Sequence, residues 1–435
     1  MNNVYNVLFN RGFIEKTTND SEIEKLLKNE KITCYIGFDP TAPSLHIGSL
    51  IPIMALKHMQ INGHRSIALL GGGTALIGDP SGKTEMRKML SFQDIEKNSL
   101  NLKKQLSNFL SFEDNKGEVV NNYNWLSSVN YINFLRDIGK HFSVNKMIKA
   151  ESYKSRLETE EGLNFIEFNY MLLQAYDFYQ LYKDNSCLIQ MGGSDQWGNI
   201  IAGIELIRRK INKSAYGITF PLITTSNGVK MGKTVDGALW LDSDRTNPFE
   251  YYQYWVNTED NYVKKFLLLF TLLPEEEISI VDDLEGKDLN IAKAILAFEA
   301  TKIAHGIEEA TNAYNSSIRL FGKKHISDQI IPSSNIPRSS LIIDKDNIPF
   351  DKDNTPFKTI DIQQLNDGIK AIDIIKDYDI CKSKNKAKRL IEQGGIYLNN
   401  KRIDSIDYVI NNNDIDNDSI LFRIGKKKYF KIKIK

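Results

Sequence analysis

Residues 33 to 70 constrain this chain more than any other stretch. Thr33 to Phe38 is apolar and β-prone, and Asp39-Pro40 ends it because a residue before proline resists helical geometry. Ser44 is the expected N-cap of the next helix, since its hydroxyl can accept an unsatisfied backbone N–H. That helix carries Leu50, Ile51, Ile53, Met54 and Leu56 and stops at Gly63, with Pro52 close enough to its start to be tolerated. Residues 66 to 70 then read as a second strand. Strand, helix and strand at this spacing form a βαβ unit, and the helix N-terminus falls where an anion binds. His46 and Gly48 stand at that terminus. Glycine lets a nucleotide lie against the backbone, and a histidine can donate to a phosphate. Taken alone, the commoner meaning of His-x-Gly is a helix-starting loop with a capping imidazole.

Downstream, residues 71 to 84 invite a P-loop reading, which fails. The pattern demands glycine at position 77, where Ile77 stands with Gly78 one place late. The alternative is a loop that brings Lys83 and Arg87 over a pocket, with Asp79 on its wall. By itself, Asp79-Pro80 is also an ordinary turn former. Residues 92 to 150 read as mostly helical, with a strand-like segment at 121 to 126. Within 157 to 183, Tyr170, Gln174 and Asp177 fall at i, i+4 and i+7, so one helical face presents a phenol, an amide and a carboxylate. Residues 187 to 191 read as a strand leading into Gly192-Gly193-Ser194-Asp195, and a carboxylate at a strand end can accept from ribose hydroxyls. The next helix ends in Arg208, Arg209 and Lys210, usually a solvated cluster but suited to nucleic acid beside a site. In Gly228-Val229-Lys230-Met231-Gly232-Lys233-Thr234, two lysines three apart suit a leaving pyrophosphate.

A length of 435 residues exceeds one compact core, so two or three domains are expected. We divide the chain into an α/β unit at 1–247, a helical unit at 248–322, a proline- and serine-rich linker at 323–358, and a small basic unit at 359–435. A net charge of +1 restricts any nucleic-acid surface to a patch. In the last unit Lys384, Lys388 and Arg389 line the start of a helix, and residues 425 to 435 alternate lysine with apolar residues as a half-buried edge strand. Cys34, Cys187 and Cys381 are scattered, with no metal-ligand spacing. No apolar run reaches membrane length and no targeting segment opens the chain, so a cytoplasmic location without membrane partners is expected.

His46-Ile47-Gly48-Ser49 followed by Lys230-Met231-Gly232-Lys233-Thr234 resembles the paired signatures of class I aminoacyl-tRNA synthetases. The text around Gly37-Phe38-Asp39-Pro40-Thr41 and Gly193-Ser194-Asp195-Gln196-Trp197 is similar to the bacterial-type tyrosyl-tRNA synthetases, and residues 383 to 402 to the S4 RNA-binding module. The resemblance implies a Rossmann-like catalytic fold with a helical domain and a small α+β S4 domain. It implies activation of L-tyrosine by ATP, with Mg2+ accompanying ATP and no tightly bound cofactor or protein-held metal, then transfer to tRNA(Tyr), in a homodimer. On this resemblance, Tyr35 and Asp177 contact the phenolic hydroxyl, and Asp79, Tyr170, Gln174 and Gln190 hold the rest of the tyrosine. ATP lies against Gly37, Asp39, His46, Gly48, Ser49, Gly193, Asp195 and Lys233. Thr41, His46, Lys83, Arg87, Lys230 and Lys233 stabilise the reacting phosphates, while Arg208, Arg209, Lys384, Lys388 and Arg389 meet tRNA. Ser49 departs from the usual second histidine, leaving a shorter hydroxyl for any ribose contact. Three rivals remain: a tryptophanyl-tRNA synthetase, a small-molecule nucleotidylyltransferase and a non-catalytic RNA-binding protein. The paired Tyr35 and Asp177 argue against the first, the terminal basic unit against the second, and the intact pocket residues against the third.

Overall fold

The computed structural model describes residues 3–81, 89–160, 162–223, 231, 233–234, 237–322, 326–338, 357–366, 368–378, 380–381, 383–399, 401–416, 418–425 and 428–435. Helix α1 (Val4–Asn10), strand β1 (Lys16–Thr17) and helix α2 (Asp20–Asn29) precede the expected βαβ unit, which is β2 (Thr33–Phe38), α3 (Leu50–Ile61) and β3 (Arg65–Leu70). Gly63 follows the helix with φ 89°, a left-handed position that glycine adopts without strain. After α4 (Phe92–Phe109) come β4 (Gly117–Asn121) and the short helices α5 (Tyr123–Leu126), α6 (Tyr131–Asp137), α7 (Val144–Met147) and α8 (Glu151–Leu157). Then α9 (Phe165–Asn185), β5 (Cys187–Gly193), α10 (Trp197–Ile211) and β6 (Tyr216–Phe220) complete a six-stranded sheet in the order β1-β6-β5-β2-β3-β4. All of its pairings are parallel except that of the edge strand β1.

Period-two alternation sorts the strand side chains onto two buried faces. Cys34, Ile36, Phe38, Ala68 and Leu70 pack with α1, α3 and the later helices, while Tyr35, Ile67 and Leu69 pack with Phe178 and Leu181 of α9. A hairpin of β7 (Lys233–Thr234) and β8 (Gly237–Ala238) leads to α11 (Pro248–Val256), α12 (Val263–Phe270), α13 (Glu275–Ile278) and α14 (Gly286–Phe321). These helices belong to the same cluster of buried side chains as the sheet, from Val4 to Ile336. A second cluster, Ile360 to Ile432, lies in the C-terminal part. There β9 (Phe357–Ile360), α15 (Ile362–Asn366), β10 (Ile369–Lys370), α16 (Ala371–Asp377), α17 (Lys384–Glu392), β11 (Ile396–Leu398), β12 (Lys401–Arg402), β13 (Val409–Ile410), β14 (Ser419–Ile424) and β15 (Lys428–Ile434) form a small α+β unit.

Four local expectations need correction. Ser44 does not cap a helix: its hydroxyl donates to the Leu45 carbonyl and to Gln105 Oε1, and a 3₁₀ turn at Ile47–Ser49 is capped instead by His46. Residues 121 to 126 are not a strand. The strand ends at Asn121, whose side chain accepts the Tyr123 N–H and turns the chain into α5. Residues 326 to 338 are not loose: Ile326, Ile330, Ile331 and Ile336 are buried, and the Arg338 guanidinium donates to the Ser327, Ile330 and Ile331 carbonyls. The terminal strand is not an edge, because β9 pairs in parallel beyond it.

Candidate active site

The carboxyl ends of β2, β3 and β5 open into a cavity of about 770 Å³, closed on one side by α9. Tyr35, Gly37, Asp39, Thr41, His46, Gly48, Ser49, Asp79, Tyr170, Gln174, Asp177, Gln190, Gly193 and Asp195 all line it. These are the candidate pocket residues from four separated segments, brought to one place. Lys83, Arg87 and Lys230 lie outside the described residues, and of Lys233 only the backbone, in β7, is described.

At the closed end, Asp177 is fully buried and accepts from Asn122 Nδ2 (2.9 Å) and Trp125 Nε1 (2.8 Å). Burial pushes its carboxyl up to about 7 against the opposing pull of those two donors. Beside it the Tyr35 hydroxyl is buried without a hydrogen-bond partner among the described residues. Burial, and then the Asp177 charge, hold that phenol well above its ordinary value. Gln190 Oε1 is likewise buried and unpartnered among the described residues. A small pocket end with an orphan hydroxyl, an orphan amide oxygen and a carboxylate is built to receive a polar group, since buried polar atoms otherwise find partners.

A chain of hydrogen bonds runs outward from that end. Asn122 Nδ2 also donates to Thr74 Oγ1 (3.0 Å), Thr74 donates to Asp39 Oδ1 (3.1 Å), and the Tyr170 hydroxyl donates to Asp39 Oδ2 (3.1 Å). Asp79 accepts from Gln196 Nε2 and from the Ser81 N–H, both at 2.8 Å, and Gln174 Oε1 accepts from Asn199 Nδ2 at 2.9 Å. The two carboxylates on this side, Asp39 and Asp79, suit an ammonium. The opposite side suits an anion. His46 Nδ1 accepts the Gly48 N–H at 3.0 Å, which leaves the neutral imidazole's proton on Nε2. A Cβ on Gly48 would stand 2.7 Å from the imidazole and 3.2 Å from the Met231 carbonyl, so only glycine fits between signature and lysine loop. The imidazole therefore caps the turn and lines the cavity at once.

Asn122, Trp125, Thr74 and Gln105 were not among the expected site residues. Gln105 Oε1 accepts the Leu45 N–H at 2.9 Å and fixes the segment before His46. No local signal separates them: Gln105 follows two lysines and Asn122 stands among other asparagines. Arg208 and Arg209 do not line the cavity. They sit at the far end of α10, about 16 Å of helix from its first residue, and both pair with Glu205. In the C-terminal unit Lys384, Lys388 and Arg389 are exposed on α17, with Lys384 2.6 Å from Asp373 and Lys388 4.0 Å from Glu392.

Two family models match the chain: tRNA synthetases class I (W and Y) over residues 27–322, and the tyrosine--tRNA ligase SYY-like C-terminal domain over residues 354–432. The chain is 56% identical over 435 residues to the tyrosine--tRNA ligase of Syntrophus aciditrophicus (strain SB), covering 100% of this chain and 99% of that protein. It is 55% identical over 431 residues to that of Desulfatibacillum aliphaticivorans, covering 99% and 98%. Among solved structures, a C-terminally truncated mitochondrial tyrosyl-tRNA synthetase from Aspergillus nidulans aligns with TM-score 0.67 and 30% identity, covering 74% of this chain and 95% of that one.

Proposed function

As this chain belongs to the class I tRNA synthetases, in their tyrosine branch, we propose how its residues divide the work of a tyrosine--tRNA ligase. The reaction joins tyrosine to tRNA in two steps, with ATP as a substrate. An oxygen of the tyrosine carboxylate forms a bond to the α-phosphorus, the bond to the bridging oxygen breaks, and pyrophosphate leaves. The nucleophile is already an anion, so no general base is needed; positioning and charge stabilisation carry the step. The terminal ribose hydroxyl of tRNA then attacks the tyrosyl carbonyl, and AMP leaves.

In this reading the phenolic hydroxyl of tyrosine sits between Tyr35 and Asp177, while Asp79, Tyr170, Gln174 and Gln190 receive its amino end and backbone. Asp39, Gly37, Gly48, Ser49, Gly193 and Asp195 line the nucleotide. His46 Nε2, Thr41, Lys83, Arg87, Lys230 and Lys233 meet the phosphates. ATP brings Mg2+ on its own phosphates; among the described residues no group of three His, Cys, Asp or Glu is placed to hold a metal ion. Lys384, Lys388 and Arg389 contact tRNA, the exposed pairs of Lys384 with Asp373 and Lys388 with Glu392 being weak enough to exchange for phosphates, and Arg208 with Arg209 offers a second contact.

We also divide the chain at 1–247, 248–322 and 359–435. The buried isoleucines of 326–338 support assigning that segment to the helical part, and the pairing of β9 supports starting the C-terminal unit at Phe357. A second copy of the chain is assigned to the face of α6 to α9, where Tyr131, Ile132, Val144, Leu157 and Phe165 are exposed. Among the described residues no helix is long and apolar enough to cross a membrane, and we place the reaction in the cytoplasm.

The observation that carries the tyrosine site is the buried Tyr35 hydroxyl beside Asp177, without a hydrogen-bond partner among the described residues. Amino-acid-dependent exchange of labelled pyrophosphate into ATP, without tRNA, tests it with tyrosine, phenylalanine and tryptophan in turn. Exchange with tyrosine alone is expected. Equal exchange with phenylalanine would remove the hydroxyl recognition, and exchange with tryptophan would reassign the pocket.

A further inference from the structure

His46 and the lysine hairpin are far apart in sequence, yet residues 238 to 241 run between them. Ala238 of β8 pairs with Lys233 of β7. Just beyond, the Ile47 N–H donates to the Leu239 carbonyl and the Leu241 N–H to the Leu45 carbonyl, both at 2.9 Å. His46 and Trp240 therefore face each other across an antiparallel bridge. With the bonds falling on either side, theirs is the non-hydrogen-bonded pairing, in which opposed side chains approach most closely.

The two rings meet edge to face, with centroids 6.5 Å apart and planes at 67°. Trp240 is itself anchored: its backbone N–H donates to Thr246 Oγ1 at 2.9 Å, and Thr246 is buried. The Gly48 N–H fixes one nitrogen of the imidazole. The Trp240 ring contact bears on the same imidazole from across the bridge.

We propose that Trp240 is a positioning residue for tyrosine activation, orienting the His46 imidazole through the bridge and ring contact between them. This rests on the assignment of His46 to the phosphates of ATP. Any shift of β8 moves Trp240 and, through the bridge, the backbone at Leu45 and Ile47.

The test uses the full-length protein, single-turnover adenylate formation and an equilibrium titration of tyrosine. Trp240→Leu is expected to slow adenylate formation about 10- to 100-fold, the cost of a misplaced catalytic group. Its tyrosine Kd should stay within about twofold of wild type, which separates positioning from collapse of the pocket. Trp240→Phe retains a ring edge and is expected to recover most of the rate. In a His46→Asn background the leucine substitution should cost less than about threefold more, because its target is already gone. An equal factor in both backgrounds, an unchanged rate in Trp240→Leu, or a fall in tyrosine affinity that tracks the rate would overturn the proposal. His46→Asn forming adenylate at the wild-type rate would instead remove the phosphate role of His46, and the coupling with it.

Discussion

A carboxylate as deeply placed as Asp177 is costly to ionise. Because its folded value is raised to about 7 from an ordinary 3.8, its contribution to stability is full below the unfolded value and is lost as pH rises through about 7. Asp177→Asn carries no such titration. Between pH 4 and 8 the unfolding free energy of the ligand-free protein is therefore expected to fall relative to that variant by on the order of 4 kcal/mol. Urea titrations across that range check it, and a pH-independent difference would contradict the burial argument. The lysines act at a different moment. Charge builds on the phosphates only in the transition state, so Lys233→Ala is expected to slow adenylate formation by roughly 100-fold or more with tyrosine affinity nearly unchanged. Equal losses in both would make Lys233 a ground-state contact.

Elements are held in place here by polar groups that reach across long sequence separations. Arg11, just after α1, donates to the carbonyls of Leu268, Thr271 and Leu273 at the end of α12 and pairs with Glu275 at 3.4 Å. Its guanidinium is almost wholly buried and satisfies acceptors that the helix end leaves open. Arg11→Ala is expected to destabilise the fold by about 3 kcal/mol, since those carbonyls lose their partner without gaining water. A change below 1 kcal/mol in chemical denaturation, on the order of an exposed contact, would show that solvent reaches the site. The same logic explains what local patterning misses at this scale. Periodicity locates α3 and both strands around it, but Ser44 loses its capping role to a hydrogen bond with Gln105, sixty-one residues away. The end of β4 was equally illegible, because Tyr123-Asn124-Trp125-Leu126 suits a strand or a helical turn until Asn121 caps it.

For the whole molecule, two separate clusters of buried side chains, one ending at Ile336 and one beginning at Ile360, set the expected modularity. A chain ending at residue 338 is expected to keep tyrosine-dependent pyrophosphate exchange while losing most tRNA charging. Retained charging at wild-type efficiency would remove the C-terminal unit from tRNA binding. Phe165→Asp places a charge on the apolar face assigned to a second copy, and light scattering is expected to report a shift from dimer to monomer. A wild-type chain that scatters as a monomer would dispose of that interface outright.

The βαβ unit and the Tyr170, Gln174 and Asp177 face of α9 were legible because they follow from local rules of spacing and helical periodicity, whereas Tyr35, Gln190 and most of the other pocket residues came from the motif resemblance. The motif resemblance added chemistry to those positions. What the sequence alone could not decide was partnership. The resemblance paired Tyr35 with Asp177, but only the folded chain leaves its hydroxyl without a partner among the described residues, beside an Asp177 held by Asn122 and Trp125. The bridge between His46 and Trp240, the parallel strand beyond the C-terminal one and the clamp of Arg11 are of the same kind. Each depends on contacts between segments distant along the chain, and hydrogen bonds of that range leave no periodic trace in the residues that make them.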